Sequence, residues 1–307
     1  MYAGAMSSNL VTASPRQLGP DGPLVGALGY GTWRLTSDDV SANRALIETA
    51  LDAGMNLIDT ADVYGLDHGG TGFGQNEERL GSVLAAAPHL RDRMVLATKG
   101  GIMPPLPYDS SPEYLRSAVE ASLTRLQAER IDLYQIHRPD LFTHPAVVAE
   151  TLDGLITEGK IAMVGVSNFT VDQYDALAAH LRAPIVSTQP EFSVAQLQPL
   201  RDGTFDRAMR DGVTPLAWSP LAGGRIFSGE GIRIELLEVI DRLGEREGVD
   251  RAAIATAFVL AHPSDPVALL GTQTGARITA AAGAFDVHLD RNDVYDIVAA
   301  SEGQPLP

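Results

Sequence analysis

Eight short apolar runs, separated by amphipathic segments, are the feature that most restricts how this chain can fold. The runs lie at about residues 24–30, 56–58, 94–97, 131–136, 161–166, 184–187, 213–217 and 267–270. Helical patterns lie between most of them, at about 38–53, 76–87, 111–126, 145–158, 170–181, 203–211 and 251–262. Strands that alternate with helices pair in parallel, and the helices cover both faces of the sheet. We therefore predict an α/β protein with a parallel sheet.

Two parallel architectures fit this alternation: an open doubly wound sheet and a closed (β/α)8 TIM barrel. The first run is followed by Gly29-Tyr30-Gly31-Thr32-Trp33-Arg34, which lacks the third glycine of the dinucleotide fingerprint of doubly wound sheets. The count of eight favours the barrel, and 307 residues is a common length for one barrel. We predict a single barrel domain over residues 1–307, with its core at about 24–285 and a short N-terminal cap or hairpin within 1–23.

The composition excludes several classes of function. The chain has no cysteine, so disulfides, thiolate metal sites and cysteine nucleophiles are excluded. Its formal net charge of −16 opposes binding to nucleic acid or to an anionic membrane surface. The sequence also lacks a basic leader, an apolar run of membrane-spanning length and histidines at metal-ligand spacing. We expect a cytoplasmic protein that binds a small molecule and no metal, while its oligomeric state leaves no signal in the sequence.

Polar residues follow seven of the eight predicted strands at the point where each strand ends. They are Asp59, Lys99, His137, Ser167-Asn168, Gln189, Ser219 and Gly271-Thr272. The C-terminal ends of barrel strands meet at one rim, where catalytic groups collect. A single polar residue after a strand is just as typical of a helix N-cap or a turn, but seven such ends together indicate a functional rim. Two long glycine-rich segments, 64–76 and 220–234, are candidate walls or lids of that rim.

Lys99 is the clearest individual candidate in this set. Only Lys99 and Lys160 among the 23 basic residues are lysine, and Lys160 fits a helix C-terminus. A carboxylate and an ammonium on adjacent strands can pair, so Asp59 and Lys99 are predicted to compensate each other's burial. Tyr64 lies five residues after Asp59, and a neighbouring lysine cation lowers a tyrosine pKa from about 10. We expect Tyr64 to act as general acid in carbonyl reduction, or as base in alcohol oxidation.

Two further rim residues have two interpretations each. His137 either donates a hydrogen bond that orients the substrate oxygen, or is a structural histidine before the turn Arg138-Pro139-Asp140. Trp33, just past the first strand, either lines an apolar substrate pocket or packs on the rim. A pocket of this kind would suit aldehydes or ketones with an apolar or aromatic body.

Taken together, these motifs resemble the aldo-keto reductase superfamily. The resemblance runs from about residue 25 to 285 and rests on five segments in the family's order: 59–65, 97–99, 135–140, 165–169 and 217–224. It implies a TIM barrel that reduces aldehydes or ketones by hydride transfer from NADP(H). In this resemblance Tyr64 is the acid or base, Asp59 and Lys99 tune it, and His137 orients the substrate. The segment from Glu191 to Arg225 most resembles bacterial reductases of broad or undefined substrate range.

The resemblance also implies how the nicotinamide half of the cofactor is bound. Ser167, Asn168 and Gln189 would contact the carboxamide, and Phe192 would take the place of a tyrosine that stacks on the nicotinamide ring in many relatives. The pyrophosphate would lie against Ser219, Leu221 and Gly223.

The adenosine half is predicted to bind at a segment that holds the 2′-phosphate in relatives, formed here by Gly271, Thr272, Gln273 and Arg277. Thr272 and Arg277 would contact the phosphate directly. Gln273 stands where many relatives have a basic residue, and Ala280-Ala281 replaces a pair that contacts adenine. The expected preference for NADPH over NADH therefore depends mainly on Arg277.

Two other functions stay open on the sequence alone. One is a regulatory subunit that binds the cofactor tightly and turns over slowly. The other is a barrel enzyme without nicotinamide, such as an isomerase or a lyase.

Overall fold

The computed structural model describes residues 8–66, 70 and 72–306. Two short antiparallel strands, β1 (Arg16–Gln17) and β2 (Leu24–Val25), precede eight parallel strands that close into a barrel. The barrel strands are β3 (Leu28–Gly31), β4 (Leu57–Asp59), β5 (Val95–Gly100), β6 (Ile131–Ile136), β7 (Ile161–Ser167), β8 (Ile185–Gln189), β9 (Thr214–Ala217) and β10 (Val267–Leu270). The barrel closes where β10 pairs with β3. The predicted TIM barrel is therefore confirmed.

Helices surround the barrel and fill the connections between its strands. They are α1 (Val40–Asp52), α2 (Gln75–Ala86), α3 (Pro112–Leu126), α4 (Pro145–Thr157), α5 (Val171–Ala178), α6 (Thr204–Asp211), α7 (Arg225–Ser228), α8 (Ile234–Glu247), α9 (Arg251–Leu260), α10 (Gly275–Ala280) and α11 (Arg291–Glu302). Several begin at a side chain that accepts backbone N–H groups of the first turn, as Asp39, Ser111 and Thr170 do. Their apolar faces pack on the outward side chains of the strands.

The interior of the barrel is apolar at one end and polar at the other. Leu57, Leu133 and Leu216 point inward and form one buried cluster with Leu18 and Val25 of the β1–β2 hairpin. The hairpin therefore closes the N-terminal end of the barrel. Side chains alternate along a strand, so the next inward positions lie nearer the C-terminal rim. Asp59, Lys99 and Gln135 occupy those positions on β4, β5 and β6.

The less regular segments also bear on the sequence predictions. The hairpin agrees with a hairpin predicted within 1–23, although it extends to Val25 and residues 1–7 lie outside the described part of the chain. In the predicted loop 64–76, residues 67–69 and 71 are likewise outside it, and α2 begins at Gln75. The predicted loop 220–234 contains a 3-10 turn and the short helix α7. Within the described ranges, no helix is both long and apolar enough to cross a membrane.

Candidate active site

Asp59 and Lys99 form an ion pair at the polar end of the barrel interior. Lys99 is fully buried on β5, and Asp59, at the end of adjacent β4, is 3% exposed. The Lys99 Nζ atom lies 2.6 Å from Asp59 Oδ2 and 2.7 Å from the backbone oxygen of Thr60. Burial alone would lower the pKa of Lys99, but the Asp59 carboxylate and the Tyr64 phenol outweigh it, and the pKa is raised. Lys99 is therefore a cation at neutral pH.

Tyr64 lies above this pair, in the turn that follows β4. Its phenol oxygen is 3.3 Å from Lys99 Nζ, and the ammonium is 4.9 Å from the centre of the ring. The backbone N–H of Tyr64 donates to Ala61, and its carbonyl accepts from Asn76 at the start of α2. These backbone contacts fix the turn that carries Tyr64. Through Lys99 Nζ, the Tyr64 hydroxyl is connected to the Asp59 carboxylate, and the three side chains form one continuous polar chain.

His137 lies on the other side of the Tyr64 ring, at the end of β6. The two ring centres are 5.8 Å apart, in an edge-to-face arrangement. Burial lowers the pKa of His137 well below its usual value, and the cations of Lys99 and Arg138 lower it further. The imidazole is therefore neutral at neutral pH and carries one N–H group. The structure thus brings together all four predicted catalytic residues at one rim.

Asn168 is the centre of a second polar group, just past β7. Its φ of +58° places the backbone in the left-handed region, which asparagine tolerates better than most residues. Its side-chain nitrogen donates to Ser167 Oγ at 2.8 Å, and its side-chain oxygen accepts from the indole N–H of Trp218 at 3.1 Å. Ser167 in turn donates to the backbone of Gln189 at 3.0 Å. The three predicted carboxamide contacts therefore lie side by side.

Trp218 is a residue of this rim that the sequence predictions leave out. It follows β9 and packs on the apolar cluster inside the barrel, so its ring forms part of the floor of the site. The structure shows that Leu216 is an inward residue of β9, so Trp218, two positions further on, also faces inward, which the sequence alone does not fix. Trp218 supplies a partly buried aromatic face beside Asn168.

Phe192, in contrast, is not at the rim surface. Only 1% of the residue is exposed, and its ring packs against Phe205, Phe258 and His262 at centre distances of 4.8, 5.6 and 6.3 Å. A ring enclosed in this way has no free face for a ligand. The predicted role of Phe192 as a stacking surface therefore disagrees with its burial, whereas Trp218 is the aromatic residue that lies beside Asn168.

Two buried amides surround the second oxygen of Asp59. Gln135 Nε2 and Gln189 Nε2 lie 3.2 and 3.1 Å from Asp59 Oδ1. Gln189 Nε2 is also 3.3 Å from Gln135 Oε1. The Asp59 carboxylate is thus bound on both oxygens, with Lys99 on one and two amides on the other.

The predicted pyrophosphate loop follows β9 and is a compact turn. Ser219, Ala222 and Gly223 have φ angles of 51°, 51° and 68°. Consecutive turns of this kind can turn backbone N–H groups toward an anion. Leu221 lies within the same turn, which is held from across the rim by Arg34, whose guanidinium donates to the Gly223 carbonyl at 3.1 Å. The loops after β3 and β9 are therefore linked.

The predicted 2′-phosphate segment follows β10. Gln273 turns toward the barrel and donates to the Tyr30 phenol at 3.1 Å, and Tyr30 donates to the carbonyl of Thr272 at 3.2 Å. Gln273 also approaches the carbonyl of Gly271, at 3.4 Å. These bonds anchor the segment instead of presenting Gln273 to a ligand. Arg277 is exposed on α10.

Trp33 is partly exposed above the Tyr64 ring, with the ring centres 6.4 Å apart. The guanidinium of Arg34 lies 5.6 Å from the Trp33 ring centre. Trp33 therefore forms one wall of the opening over Tyr64.

Over the described ranges, no group of three or more His, Asp or Glu side chains has the geometry of a metal site.

Several known proteins are similar to this chain in sequence. The sequence model of the Aldo/keto reductase family matches residues 27–302. The chain is 46% identical over 295 residues to the 6-dehydroglucose reductase of Novosphingobium aromaticivorans, covering 95% of this chain and 97% of that protein. It is 35% identical over 289 residues to the 6-dehydroglucose reductase of Agrobacterium fabrum, covering 90% and 94%.

A solved structure is also similar. The thermostable aldo-keto reductase Tm1743, in complex with the inhibitor epalrestat, matches with a TM-score of 0.80 over 94% of this chain and 99% of that chain. At 23% sequence identity, this likeness supports the fold.

Proposed function

This chain belongs to the aldo/keto reductase family, and we propose that it reduces the aldehyde group of a hydroxylated small molecule with NADPH, using Tyr64 as the proton donor. Membership of the family makes it an oxidoreductase for carbonyl compounds. The cofactor, the acid and the substrate class are the proposed parts.

The observation that carries the proposal is the position of Tyr64. Its hydroxyl is 3.3 Å from a buried lysine that is itself 2.6 Å from a carboxylate. An alcohol forms when the carbonyl carbon receives a hydride and the carbonyl oxygen receives a proton. When Tyr64 gives up that proton, its phenolate faces the Lys99 ammonium in a site with little water, where the attraction is strong. Tyr64 is partly exposed and can then take a proton from solvent.

His137 has a separate role in this proposal. Since burial keeps its imidazole neutral, it can donate one hydrogen bond to the carbonyl oxygen without competing as an acid. The Tyr64 and His137 rings lie edge to face with their centres 5.8 Å apart, and in this proposal one carbonyl oxygen contacts both groups.

The residues at the rim have the donor chemistry that a nicotinamide dinucleotide requires. Ser167, Asn168 and Gln189 would hold the carboxamide, with Trp218 beneath the ring. Ser219, Leu221 and Gly223 would hold the pyrophosphate, and Thr272 and Arg277 the 2′-phosphate. The bound cofactor supplies the hydride.

The names of two relatives favour a sugar aldehyde such as 6-dehydroglucose as the substrate. A charged group near the opening supports a hydroxylated body. Glu191 lies two residues past Gln189 and pairs with Trp218, so its side chain lies on the same side as theirs. Burial raises the pKa of Glu191, and the cations of Arg225 and Arg138 oppose that shift. Charged side chains such as Glu191 can hydrogen-bond to the hydroxyl groups of a substrate. They therefore favour a hydroxylated substrate over the substrate with an apolar or aromatic body that Trp33 led us to expect.

The test is a comparison of kcat/KM with NADPH for 6-dehydroglucose and for benzaldehyde. The proposal predicts at least a tenfold advantage for the sugar aldehyde, because each hydroxyl paired with a buried polar group adds discrimination. A preference for benzaldehyde would overturn the substrate class. If neither aldehyde oxidises NADPH, the proposed activity is wrong.

The cofactor assignment makes its own prediction at Arg277. Arg277→Ala removes the one charged contact assigned to the 2′-phosphate, so we expect the preference for NADPH over NADH to fall about tenfold or more. The dissociation constants of both cofactors measure this ratio. Arg291→Ala, at the start of α11, is the control and should leave the ratio unchanged. An unaltered ratio in Arg277→Ala would refute the assignment.

A further inference from the structure

Gln135 is a buried amide that the reaction described above does not use. It is 0% exposed on β6, between inward-facing Leu133 and His137. The alternation of side chains therefore points it into the barrel, just below the site. A buried amide requires hydrogen-bond partners, and the choice of partners fixes its orientation.

Those partners are two groups of the proposed site. Gln135 Nε2 donates to Asp59 Oδ1 at 3.2 Å, and Gln135 Oε1 accepts from Gln189 Nε2 at 3.3 Å. Gln189 Nε2 closes the triangle by donating to Asp59 Oδ1 at 3.1 Å. Gln135 therefore contacts both the ion pair that adjoins Tyr64 and an amide assigned to the cofactor.

The packing around Gln135 holds this arrangement in place. A Cβ atom at Gly165, on adjacent β7, would lie 2.9 Å from Gln135 Cγ and 2.1 Å from Ser187 Oγ. Neither distance is possible for real atoms, so the absence of a side chain at Gly165 creates the space that Gln135 fills. The stem of Gln135 lies directly against the backbone of β7 and has little freedom to turn.

The orientation of Gln189 follows from its hydrogen bonds. A primary amide has two N–H groups, and those of Gln189 go to Asp59 and to Gln135. The atom of the Gln189 side chain that remains for a ligand is its amide oxygen, Oε1. A rotated Gln189 amide would set its oxygen against the oxygens of Asp59 and Gln135, which are both acceptors. Gln135 thus keeps the Gln189 oxygen available for a donor such as the NH2 of a carboxamide.

We propose that Gln135 is a positioning residue that stabilises the Asp59 carboxylate beside Lys99 and fixes the orientation of the Gln189 amide. The second half rests on the proposed function, because it needs nicotinamide at the rim. The first half concerns only the protein and can be tested without any cofactor.

The cofactor-free test uses the scarcity of lysine. Lys99 and Lys160 are the only two lysines, so a protein labelled with 15N at the lysine Nζ atoms gives two signals, and Lys160→Arg assigns them. Gln135→Met removes the amide at similar volume, and we expect a change in the Lys99 signal and in its titration. Gln135→Asn, whose amide is too short to reach Asp59, should give the same change. Ser187→Ala, at the neighbouring interior position, is the packing control and should leave the Lys99 signal in place.

The cofactor test compares NADP+ with its acetylpyridine analogue, which lacks the carboxamide NH2. Quenching of tryptophan fluorescence, to which Trp33 and Trp218 both contribute, reports the two dissociation constants without turnover. We expect the native protein to bind NADP+ several-fold more tightly than the analogue, and Gln135→Met to reduce that ratio toward one. Thermal unfolding verifies that each variant is folded.

The outcomes separate this proposal from the proposed function. A Lys99 signal that moves no more in the two Gln135 variants than in Ser187→Ala overturns the role of Gln135 at Asp59. If Gln135→Met leaves the ratio of the dissociation constants for the analogue and NADP+ unchanged, the role of Gln135 at Gln189 is overturned. If the native protein does not bind NADP+ at all, the proposed function fails, while the Lys99 signal still decides the role of Gln135 at the ion pair.

Discussion

Lys99 is fully buried and brings three oxygen atoms together around its ammonium. The ammonium contacts Asp59 at 2.6 Å, the Thr60 carbonyl at 2.7 Å and the Tyr64 phenol at 3.3 Å. Arginine, with its planar and wider head group, cannot make the same three contacts from this position. The single buried lysine among many arginines thus has a geometric reason.

The ion pair leads to a prediction about stability. Lys99→Met leaves the Asp59 carboxylate buried without its cation, and we expect the free energy of unfolding to fall by about 3–5 kcal/mol. Denaturant unfolding measures this change. The double variant Asp59→Leu/Lys99→Met removes both charges and should regain most of the lost stability. Equal instability of the single and double variants would show that the unpaired carboxylate is not the cause.

Asp62 is a second buried acid, in the turn that carries Tyr64. Its Oδ2 atom accepts a hydrogen bond of 2.7 Å from the phenol of Tyr114. Burial raises the pKa of Asp62 to about 7, and the Tyr114 hydrogen bond opposes the shift. The folded protein therefore keeps a proton on Asp62 at pH values where the unfolded chain has lost it.

The sign of the resulting pH dependence follows from linkage. Between about pH 4 and pH 7 the folded state binds more protons at Asp62, so this group makes stability fall as the pH rises. Asp62→Asn removes that slope, and we expect it to stabilise the protein by a few kcal/mol relative to the native chain above pH 7. His137 has the opposite slope below about pH 6.5, because its pKa is lowered, so the difference between variant and native protein is the quantity to measure.

Denaturant unfolding at several pH values gives this difference. The exposed residue Asp92 provides the control, since a substitution on the surface such as Asp92→Asn should change stability by less than about 0.5 kcal/mol. A stability difference for Asp62→Asn that does not change between pH 4 and pH 8 would contradict the assignment of the buried proton to Asp62.

The sequence predicts individual residues best where their type is rare or their motif is distinctive. Asp59, Lys99 and His137 are found because polar residues at strand ends are conspicuous. Gln135 is harder to recognise, because a buried polar residue within a strand looks like any outward position until the register is known. Phe192 illustrates the reverse error, since an aromatic residue near a strand end points outward or inward according to a register that one sequence does not fix.

At the scale of elements, the eight apolar runs overlap the eight barrel strands. The predicted helical patterns overlap α1 to α6 and α9. Helix α8 is missing from those predictions although Leu236, Ile240 and Leu243 recur at helical spacing and are buried. Strands β1 and β2 have two residues each, too few for any periodicity. The position of these two strands at the end of the barrel is explained by the burial of Leu18 and Val25 in the interior cluster.

The hairpin offers a matched pair of leucines for a prediction. Leu18 is fully buried and belongs to the interior cluster, whereas Leu24 is 57% exposed. Leu18→Ala should lower the free energy of unfolding by about 2–5 kcal/mol, because it opens a cavity at the closed end of the barrel. Leu24→Ala should change it by less than about 0.5 kcal/mol. Similar values for both variants, measured by denaturant unfolding, would mean that the hairpin does not seal the barrel.

At the scale of the whole molecule, the barrel separates stability from chemistry along its axis. The hairpin and the apolar interior occupy one end, and every polar group of the proposed mechanism lies at the other. The net charge of −16 opposes a phosphate-bearing ligand. In the proposed function, binding of a dinucleotide therefore depends on local donors at the rim, such as the turn around Gly223 and the side chain of Arg277.

The central claim is that Tyr64 donates the proton in a reaction whose hydride comes from the cofactor. Tyr64→Phe removes one oxygen atom and keeps the ring against Trp33 and His137. We expect the dissociation constant for NADPH to stay within about twofold of the native value, while kcat for aldehyde reduction falls about 10²- to 10⁴-fold. The control is Tyr108→Phe, an exposed tyrosine on the loop after β5, which should keep native turnover. A Tyr64→Phe protein that binds NADPH and still reduces the aldehyde within a few-fold of the native rate would contradict the account.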